Sequence, residues 1–184
     1  MKTVFYLIRH GPPDWSWAER QRFFGAAAAY MPLTPEGVAR IEQTAEDPRL
    51  AGAAYLLASP YTRTMQSAAI LSRRLDLPIS VEWDLHEWLY DTDLRGDLPA
   101  EGERYCMEDM HRCFYQYMEG GELQGEDRCE TVPEIRRRVL LCLARHCDAE
   151  KVIVVCHEGV IRSITGRESV ALGEIVPFCL EDVR

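Results

Sequence analysis

Three short stretches of the chain carry residue types that can bind and attack an anion. Residues 9–11 read Arg-His-Gly, residues 157–159 read His-Glu-Gly, and residues 59–63 begin with serine and proline and end with arginine. A single histidine of this kind is more often structural than catalytic. Two imidazoles and two guanidiniums beside a helix N-terminus, however, form an anion site that suits phosphate.

A histidine in such a pocket offers chemistry as well as binding. An imidazole held neutral can attack phosphorus through a ring nitrogen, while arginines and a second, protonated histidine stabilise the oxygens of the transferring group. The product is a covalent phosphohistidine. Because a departing alkoxide needs a proton, we also expect a carboxylic acid with a raised pKa near the mouth of the pocket.

The elements that precede these residues have to bring them together. "TVFYLIRH" (3–10) and "KVIVVCH" (151–157) are short apolar runs that both end in histidine, typical of strands buried on both faces of a parallel sheet. "AAYLLAS" (53–59) predicts a third strand and then a helix over 60–75, with Ser59 as N-cap and Pro60 first. The carboxyl ends of such strands share one edge of the sheet.

The rest of the chain alternates helical and strand patterns. Thr34 is the predicted N-cap of a helix that ends at Pro48, and residues 132–147 form another helix. Short strands are expected in 75–83 and 176–183. This rhythm predicts an α/β fold, a three-layer α/β/α sandwich with a mainly parallel central sheet, in a single domain over residues 1–184.

Two segments do not fit that rhythm. Residues 12–32 and 100–125 are rich in aromatic side chains, and the second also holds several methionines. They are either ordinary packing helices or the walls or lid of a ligand crevice beyond the strand ends.

Composition narrows the class of protein. The net charge of −9 argues against a nucleic-acid partner, although 19 of the 21 basic residues are arginines, since only Lys2 and Lys151 are lysines. No apolar run reaches the roughly 18 residues of a membrane span, and no leader precedes the first apolar run. Seven cysteines without a C-x-x-C pair fit a reducing compartment and argue against a zinc site. We therefore expect a cytoplasmic protein without a membrane partner.

Four motifs occur in a fixed order: R-H-G at 9–11, L-T-P-E-G at 33–37, "SPYTRTMQSA" at 59–68 and "VVCHEGVIR" at 154–162. The ordered set resembles the histidine phosphatase superfamily, the phosphoglycerate mutase-like proteins. The resemblance covers most of the chain and is weakest over 100–125.

The resemblance implies a role for each matched residue. His10 would be the phosphorylated nucleophile, and Arg9, Arg63 and His157 would hold the phosphate. It implies neither a metal nor a cofactor.

The proton donor has two candidates. The family's donor usually lies in an L-x-E segment after the third strand, which points to Glu87 in "DLHEW". In the acid-phosphatase branch the donor directly follows the second histidine, which points to Glu158. The mutase-like character of the other motifs favours Glu87.

The chain departs from the family pattern after R-H-G. Relatives usually have a polar pair and then Trp-Asn, whereas this chain has Pro12, Pro13, Asp14, Trp15 and Ser16. Pro13 has no N–H to donate, and Ser16, the candidate phosphate ligand here, is shorter than asparagine. We therefore expect either that phosphate is bound less tightly on this side of the pocket or that other groups bind it there. Arg162 matches a common family arginine but can equally be structural.

The expected function is a metal-independent phosphatase that hydrolyses a phosphomonoester of a small metabolite through phosphohistidine on His10. Two alternatives stay open: a catalytically weak phosphate-binding regulatory module, and a phosphatase that acts on phosphohistidine in a partner protein. A mutase is disfavoured, because the chain lacks the long insertion that the family's mutases carry.

Overall fold

A mostly parallel sheet lies at the centre of the computed structural model, which describes residues 2–21, 25–89, 114, 118 and 130–180, with the backbone alone for 25–27. Its strands are β1 (Val4–Arg9), β2 (Tyr55–Ala58), β3 (Ile79–Val81), β4 (Lys151–Cys156) and β5 (Ile175–Phe178). They lie in the order β3-β2-β4-β1-β5. Only β5 among them runs antiparallel to its neighbour, β1.

Helices connect the strands. The α-helices of the described residues are α1 (Trp15–Gln21), α2 (Pro35–Thr44), α3 (Thr62–Leu75), α4 (Val132–Ala144) and α5 (Glu158–Thr165). Short 3-10 turns cover Gly25–Tyr30, Pro48–Leu50 and Trp83–Leu85. None of the helices in the described part of the chain is long and apolar enough to cross a membrane.

Two hydrophobic clusters cover the two faces of the sheet. Successive residues of a strand point to opposite faces, and in β4 Ile153 joins one cluster while Val154 joins the other. The first cluster includes Ile41 of α2 and Leu71 of α3. The second includes α4 and α5, for example Val139. The predicted three-layer α/β/α sandwich is therefore confirmed.

The register of the sheet brings the two histidines to one edge. Arg9 at the end of β1 pairs with Cys156 at the end of β4. The next residue of each strand is a histidine, and the backbone N–H of His10 donates to the carbonyl of Cys156 at 3.1 Å. Ser59 follows β2 at the same level, because its N–H donates to Val155 at 3.0 Å.

The helix boundaries differ from the predicted ones at three points, one of which is that the helix predicted over 132–147 ends at Ala144. Thr34 is the N-cap of α2 as predicted, and its hydroxyl accepts from the N–H of Gly37 at 2.9 Å, but the helix ends at Thr44, before Pro48. The prediction of Ser59 as the cap of the next helix is wrong, since α3 begins at Thr62 with Tyr61 at the N-cap. The Ser59 hydroxyl instead contacts Nε2 of His157.

The two aromatic segments are described to different extents. Segment 12–32 contains α1 and the first 3-10 turn, and the Ala28 carbonyl accepts from Nη1 of Arg63 at 3.0 Å. Of segment 100–125, Phe114 and Met118 pack against the cluster under α4. The remainder of that segment lies outside the described residues, so its role as a wall or lid stays a prediction.

Candidate active site

Two buried histidines face each other at the carboxyl edge of the sheet. The ring centroids of His10 and His157 lie 5.2 Å apart, with the rings near a T-shaped arrangement. His10 is 5% exposed and His157 is fully buried. Burial of two imidazoles side by side requires that each finds hydrogen-bond partners, because an unsatisfied polar group in the interior is costly.

Arg63 in the first turn of α3 joins the two rings. Its Nε donates to Nε2 of His10 at 3.1 Å, and its Nη2 lies 3.3 Å from Nδ1 of His157. A guanidinium can only donate, so each of these ring nitrogens presents a lone pair. The planar fork of an arginine therefore holds both imidazoles with acceptor nitrogens turned towards one point.

The remaining ring nitrogens complete the assignment of tautomers. Nδ1 of His10 lies 2.8 Å from the carbonyl oxygen of Gly11, which accepts only, so Nδ1 carries the proton. In His157 the proton is on Nε2, which lies 2.8 Å from the hydroxyl oxygen of Ser59. Both rings are neutral in this arrangement, and Nε2 of His10 is the ring nitrogen that presents a lone pair.

The electrostatics of the pair agree with neutral rings. Burial and then the charge of Arg63 hold the pKa of His10 well below its usual range. Burial, Arg63 and the neighbouring His10 do the same to the pKa of His157. The prediction of one neutral imidazole fits His10. The expectation of a second, protonated histidine does not fit His157, because a buried imidazolium beside a guanidinium is unfavourable.

Tyr61 packs against two members of the site. Its ring centroid lies 5.0 Å from that of His157, and the guanidinium carbon of Arg63 lies 5.0 Å from the same ring centroid. Burial raises the pKa of Tyr61 to about 12, so the phenol stays protonated. An arginine over an aromatic face is stabilised by the ring quadrupole. Tyr61 thus restrains the positions of both His157 and Arg63.

Glu87 reaches the site from the segment that follows the third 3-10 turn. Its Oε1 accepts from the backbone N–H of Trp88 at 2.9 Å, and its Oε2 accepts from the N–H of Gly159 at 3.4 Å. Burial raises the pKa of Glu87, opposed by the Trp88 N–H and by the charge of Arg63. The residue is partly exposed. A raised pKa is the property that we expected of a proton donor, and the role of Glu87 as that donor stays a prediction.

Glu158 forms ion pairs with two arginines, Arg9 and Arg162. Its Oε2 lies 2.8 Å from Nη1 of Arg9, and its Oε1 lies 4.0 Å from Nη1 of Arg162. Arg9 also donates to the carbonyl of Val170 at 2.5 Å. The carboxylate of Glu158 therefore orients two guanidiniums. Together with burial and Arg63, the charge of Arg9 lowers the pKa of His10.

Ser16 does not join this cluster in the described contacts. It lies on the exposed side of α1, where its hydroxyl donates to Oδ1 of Asp14 at 2.6 Å and accepts from Nη1 of Arg20 at 2.8 Å. The geometry gives no support to its predicted contact with phosphate. Asp14 takes the hydroxyl because the two residues lie in the same first turn, with the carboxylate also accepting from the N–H of Trp17.

Side chains of the third motif accept hydrogen bonds from backbone N–H groups of the first and second motifs. The Gln66 side chain accepts from the N–H of Leu33 at 2.7 Å, and the Ser67 hydroxyl accepts from the N–H of Gly11 at 3.3 Å. A Cβ on Gly11 would lie 2.5 Å from the carbonyl oxygen of Gly37. The glycine after His10 is required because α2 approaches it this closely.

The two prolines after Gly11 are part of the same packing. The Pro12 carbonyl accepts from the N–H of Thr34 at 2.9 Å, and Pro13 forms an isolated β-bridge with Leu33. A Cβ on Gly37 would lie 2.3 Å from the Pro12 oxygen. In these contacts the two prolines only accept hydrogen bonds through their carbonyl groups. Their lack of an N–H therefore leaves no hydrogen bond unmade here.

The sequence predicted most of these residues and missed three. The structure brings His10, His157, Arg63, Glu87 and Arg9 to one end of the sheet. Ser59, Tyr61 and Gly159 lie inside the predicted stretches 59–63 and 157–159 but were given no contact or role of their own at the site. Among the described residues, no three potential metal ligands are grouped in a way that could hold an ion.

Comparison with known proteins decides the family. The model of the histidine phosphatase superfamily (branch 1) matches residues 5–170, which is most of the chain. The chain belongs to this superfamily. The match includes every residue of the cluster described above, from Arg9 to Gly159.

Curated relatives of this chain include two bacterial proteins named probable phosphoglycerate mutase GpmB. The Proteus mirabilis protein is 35% identical over 68 residues, which cover 37% of this chain and 30% of the relative. The Enterobacter sp. protein is 37% identical over 82 residues, covering 45% and 36%. The matched part thus spans about a third of the length of either relative.

Solved structures share the fold of this chain at low sequence identity. A mycobacterial glucosyl-3-phosphoglycerate phosphatase has a TM-score of 0.67 at 14% identity, with 96% of this chain and 90% of that chain covered. A phosphoglycerate mutase from Bacillus anthracis has a TM-score of 0.67 at 13% identity, with 96% and 87% covered. Because a phosphatase and a mutase both match, the fold alone does not separate these activities.

Proposed function

We propose that the protein is a metal-independent phosphatase that hydrolyses a phosphomonoester of a small metabolite through phosphohistidine on His10. The observation that carries the proposal is the pair of bonds from Arg63 to the two histidines. They supply a neutral nucleophile, Nε2 of His10, beside a cation that can hold the phosphate oxygens. Superfamily membership supports the general class of reaction.

The first step is transfer of the phosphoryl group to the enzyme. Nε2 of His10 attacks phosphorus, and the bond between phosphorus and the ester oxygen breaks. The Nδ1–H bond to the Gly11 carbonyl offsets the positive charge that develops on the ring. Arg63 turns its Nε–H from the ring to a phosphate oxygen, so that the donor that held the nucleophile then stabilises the transition state.

The departing oxygen receives its proton from Glu87 in the same step. The pKa of Glu87 is raised and the pKa of His10 is lowered, and both shifts favour a protonated carboxyl group beside a neutral imidazole. Glu158 is the less suitable donor, because its carboxylate is ion-paired with Arg9.

The second step returns the enzyme to its starting state. The Glu87 carboxylate takes a proton from water, and the water oxygen attacks the phosphoryl group on His10. The phosphorus–nitrogen bond breaks, and its electron pair returns to Nε2. Phosphate leaves, and the Nε–H of Arg63 again donates to the ring.

Hydrolysis of p-nitrophenyl phosphate in the presence of EDTA tests the proposal. We expect phosphate release by the wild-type protein between about pH 5 and 8, around the ionisation of histidine, and none above background by His10→Ala. His146→Ala, at a histidine paired with Glu82 on another part of the surface, is the matched control and should retain activity. Binding of phosphate without any turnover would favour the regulatory module instead. Activity that disappears with EDTA and returns with a metal would contradict the metal-independent reaction.

A further inference from the structure

Gly159 is the second residue of α5 and is buried in the site. His157 is the N-cap of this helix, so the N–H of Gly159 is one of those that the helix itself leaves unpaired. That N–H donates to Oε2 of Glu87 at 3.4 Å. The glycine of the fourth motif therefore contacts the carboxyl group of the L-x-E segment directly.

The absence of a side chain at Gly159 is what admits the carboxyl group. A Cβ at this position would lie 2.5 Å from Oε1 of Glu87 and 2.9 Å from the Cε2 atom of Phe114. The first distance is far below van der Waals contact. The nearer atom is the free end of a flexible side chain, so an added methyl group would displace the carboxyl group, while the buried Phe114 ring would have to shift by a few tenths of an ångström.

We propose that Gly159 is the positioning residue of Glu87: it leaves the space, and supplies the N–H, that aim the carboxyl group at the ester oxygen. The proposal rests on the proposed function, since it concerns the proton that Glu87 delivers there. It explains why the fourth motif needs a glycine two residues after His157, in a helix where glycine is otherwise unfavourable compared with alanine.

Gly159→Ala separates positioning from folding. Alanine favours a helix interior by about 1 kcal/mol over glycine, which offsets part of the cost of moving the Phe114 ring, so we expect a modest loss of thermal stability. General acid catalysis is worth about 10²–10⁴ in rate, and a displaced acid loses much of it. For phenyl phosphate, whose leaving group needs a proton, we expect kcat/KM to fall about 10²-fold. For p-nitrophenyl phosphate, which departs as a stable anion, the expected change is less than about threefold.

A double-mutant cycle with Glu87→Gln tests whether Gly159 acts through Glu87. In the Glu87→Gln background, Gly159→Ala should cause no further loss on phenyl phosphate. Ser163→Ala, in the same helix, is the control and should change both esters equally little. Equal losses on the two esters, or losses that multiply in the double variant, would overturn the proposal.

The outcomes distinguish this proposal from the proposed function. If His10→Ala keeps the wild-type rate, the proposed function fails. If Glu87→Gln affects both esters alike, the donor is misassigned, and this proposal fails with it. If both of those results are as expected and Gly159→Ala matches the wild type, only the positioning role is wrong. Should Gly159→Ala not fold, the same comparison is made with Phe114→Leu added, which removes the second contact of the new methyl group.

Discussion

The hydroxyl oxygen of Ser59 lies 2.8 Å from Nε2 of His157. Arg63 can only donate to Nδ1 of the same ring, so the proton is on Nε2 and the Ser59 hydroxyl accepts it. A residue that resembles a helix cap in the sequence thus belongs to the site. Both atoms are buried, so the bond cannot be replaced by solvent without rearrangement.

Ser59→Ala should impair activity more than it impairs helix α3. The variant leaves a buried N–H without its partner, which costs about 1–3 kcal/mol and allows the His157 ring to turn. We expect kcat/KM for p-nitrophenyl phosphate to fall about tenfold, the equivalent of about 1.4 kcal/mol. Ser72→Ala removes a serine hydroxyl bonded to the Leu77 carbonyl at the other end of α3 and should leave the rate unchanged. Equal rates for the two variants would contradict the role of Ser59.

Arg63→Lys tests the planar fork rather than the charge. A lysine keeps the positive charge but cannot donate in one plane to both His10 and His157. Loss of a preorganised donor costs about 10²–10³ in kcat, and we expect a loss of that size in steady-state assays. Arg74→Lys is the matched control, because Arg74 lies in the same helix and is exposed in an ion pair with Glu46. Near wild-type kcat in the Arg63→Lys variant would show that charge alone suffices.

The sequence predicted the parts of the fold that depend on local pattern. Apolar runs before His10 and His157 indicated two buried parallel strands, and Thr34 followed by a proline indicated a helix start; both are confirmed. These features depend on residues adjacent in the chain. The cap at Ser59 failed because the cap position also depends on what the strand end contacts, here His157 from another strand.

Side-chain partners that come from distant segments could not be read from the sequence. The ion pair of Arg9 with Glu158 was not expected, because the two residues become adjacent only through the β1–β4 pairing; the phosphate contact of Arg9 stays a prediction. Ser16 was expected to turn towards the site, but the nearby Asp14 competes for its hydroxyl. The spacing of the motifs determines which residues meet at the sheet edge. Which hydrogen bonds and ion pairs their side chains form there depends on the neighbouring groups that compete for each side chain.

The pH dependence should reveal Glu87 as the acid. Activity on phenyl phosphate needs neutral His10 and protonated Glu87. The pKa of His10 is lowered, so the acid side of the profile lies below the usual range of histidine. The pKa of Glu87 is raised, so the rate falls as the pH increases through that elevated value and Glu87 loses its proton. In kcat/KM profiles, Glu87→Gln should abolish this fall and Glu158→Gln should keep it. The reverse result would assign the proton to Glu158.

Gly37→Ala should destabilise the fold through a clash between two backbones. Its Cβ would lie 2.3 Å from the Pro12 carbonyl oxygen, which cannot swing away as a side chain can. Overpacking of this kind typically costs about 1–3 kcal/mol, and we expect a loss at the upper end in urea unfolding. Glu42→Ala, exposed in the same helix, serves as the control and should change stability by less than about 0.5 kcal/mol. A variant as stable as the control would show that the two motifs do not pack this closely.

Covalent phosphorylation of His10 is the central claim, and trapping it is the most direct measurement. The protein is mixed with p-nitrophenyl phosphate in EDTA, quenched in alkali, and analysed by intact mass and then by peptide mass spectrometry. We expect one added phosphoryl group, carried by the peptide that contains His10 and absent from His10→Ala. Phosphate release without any label on His10, or the same label on His10→Ala, would contradict the account.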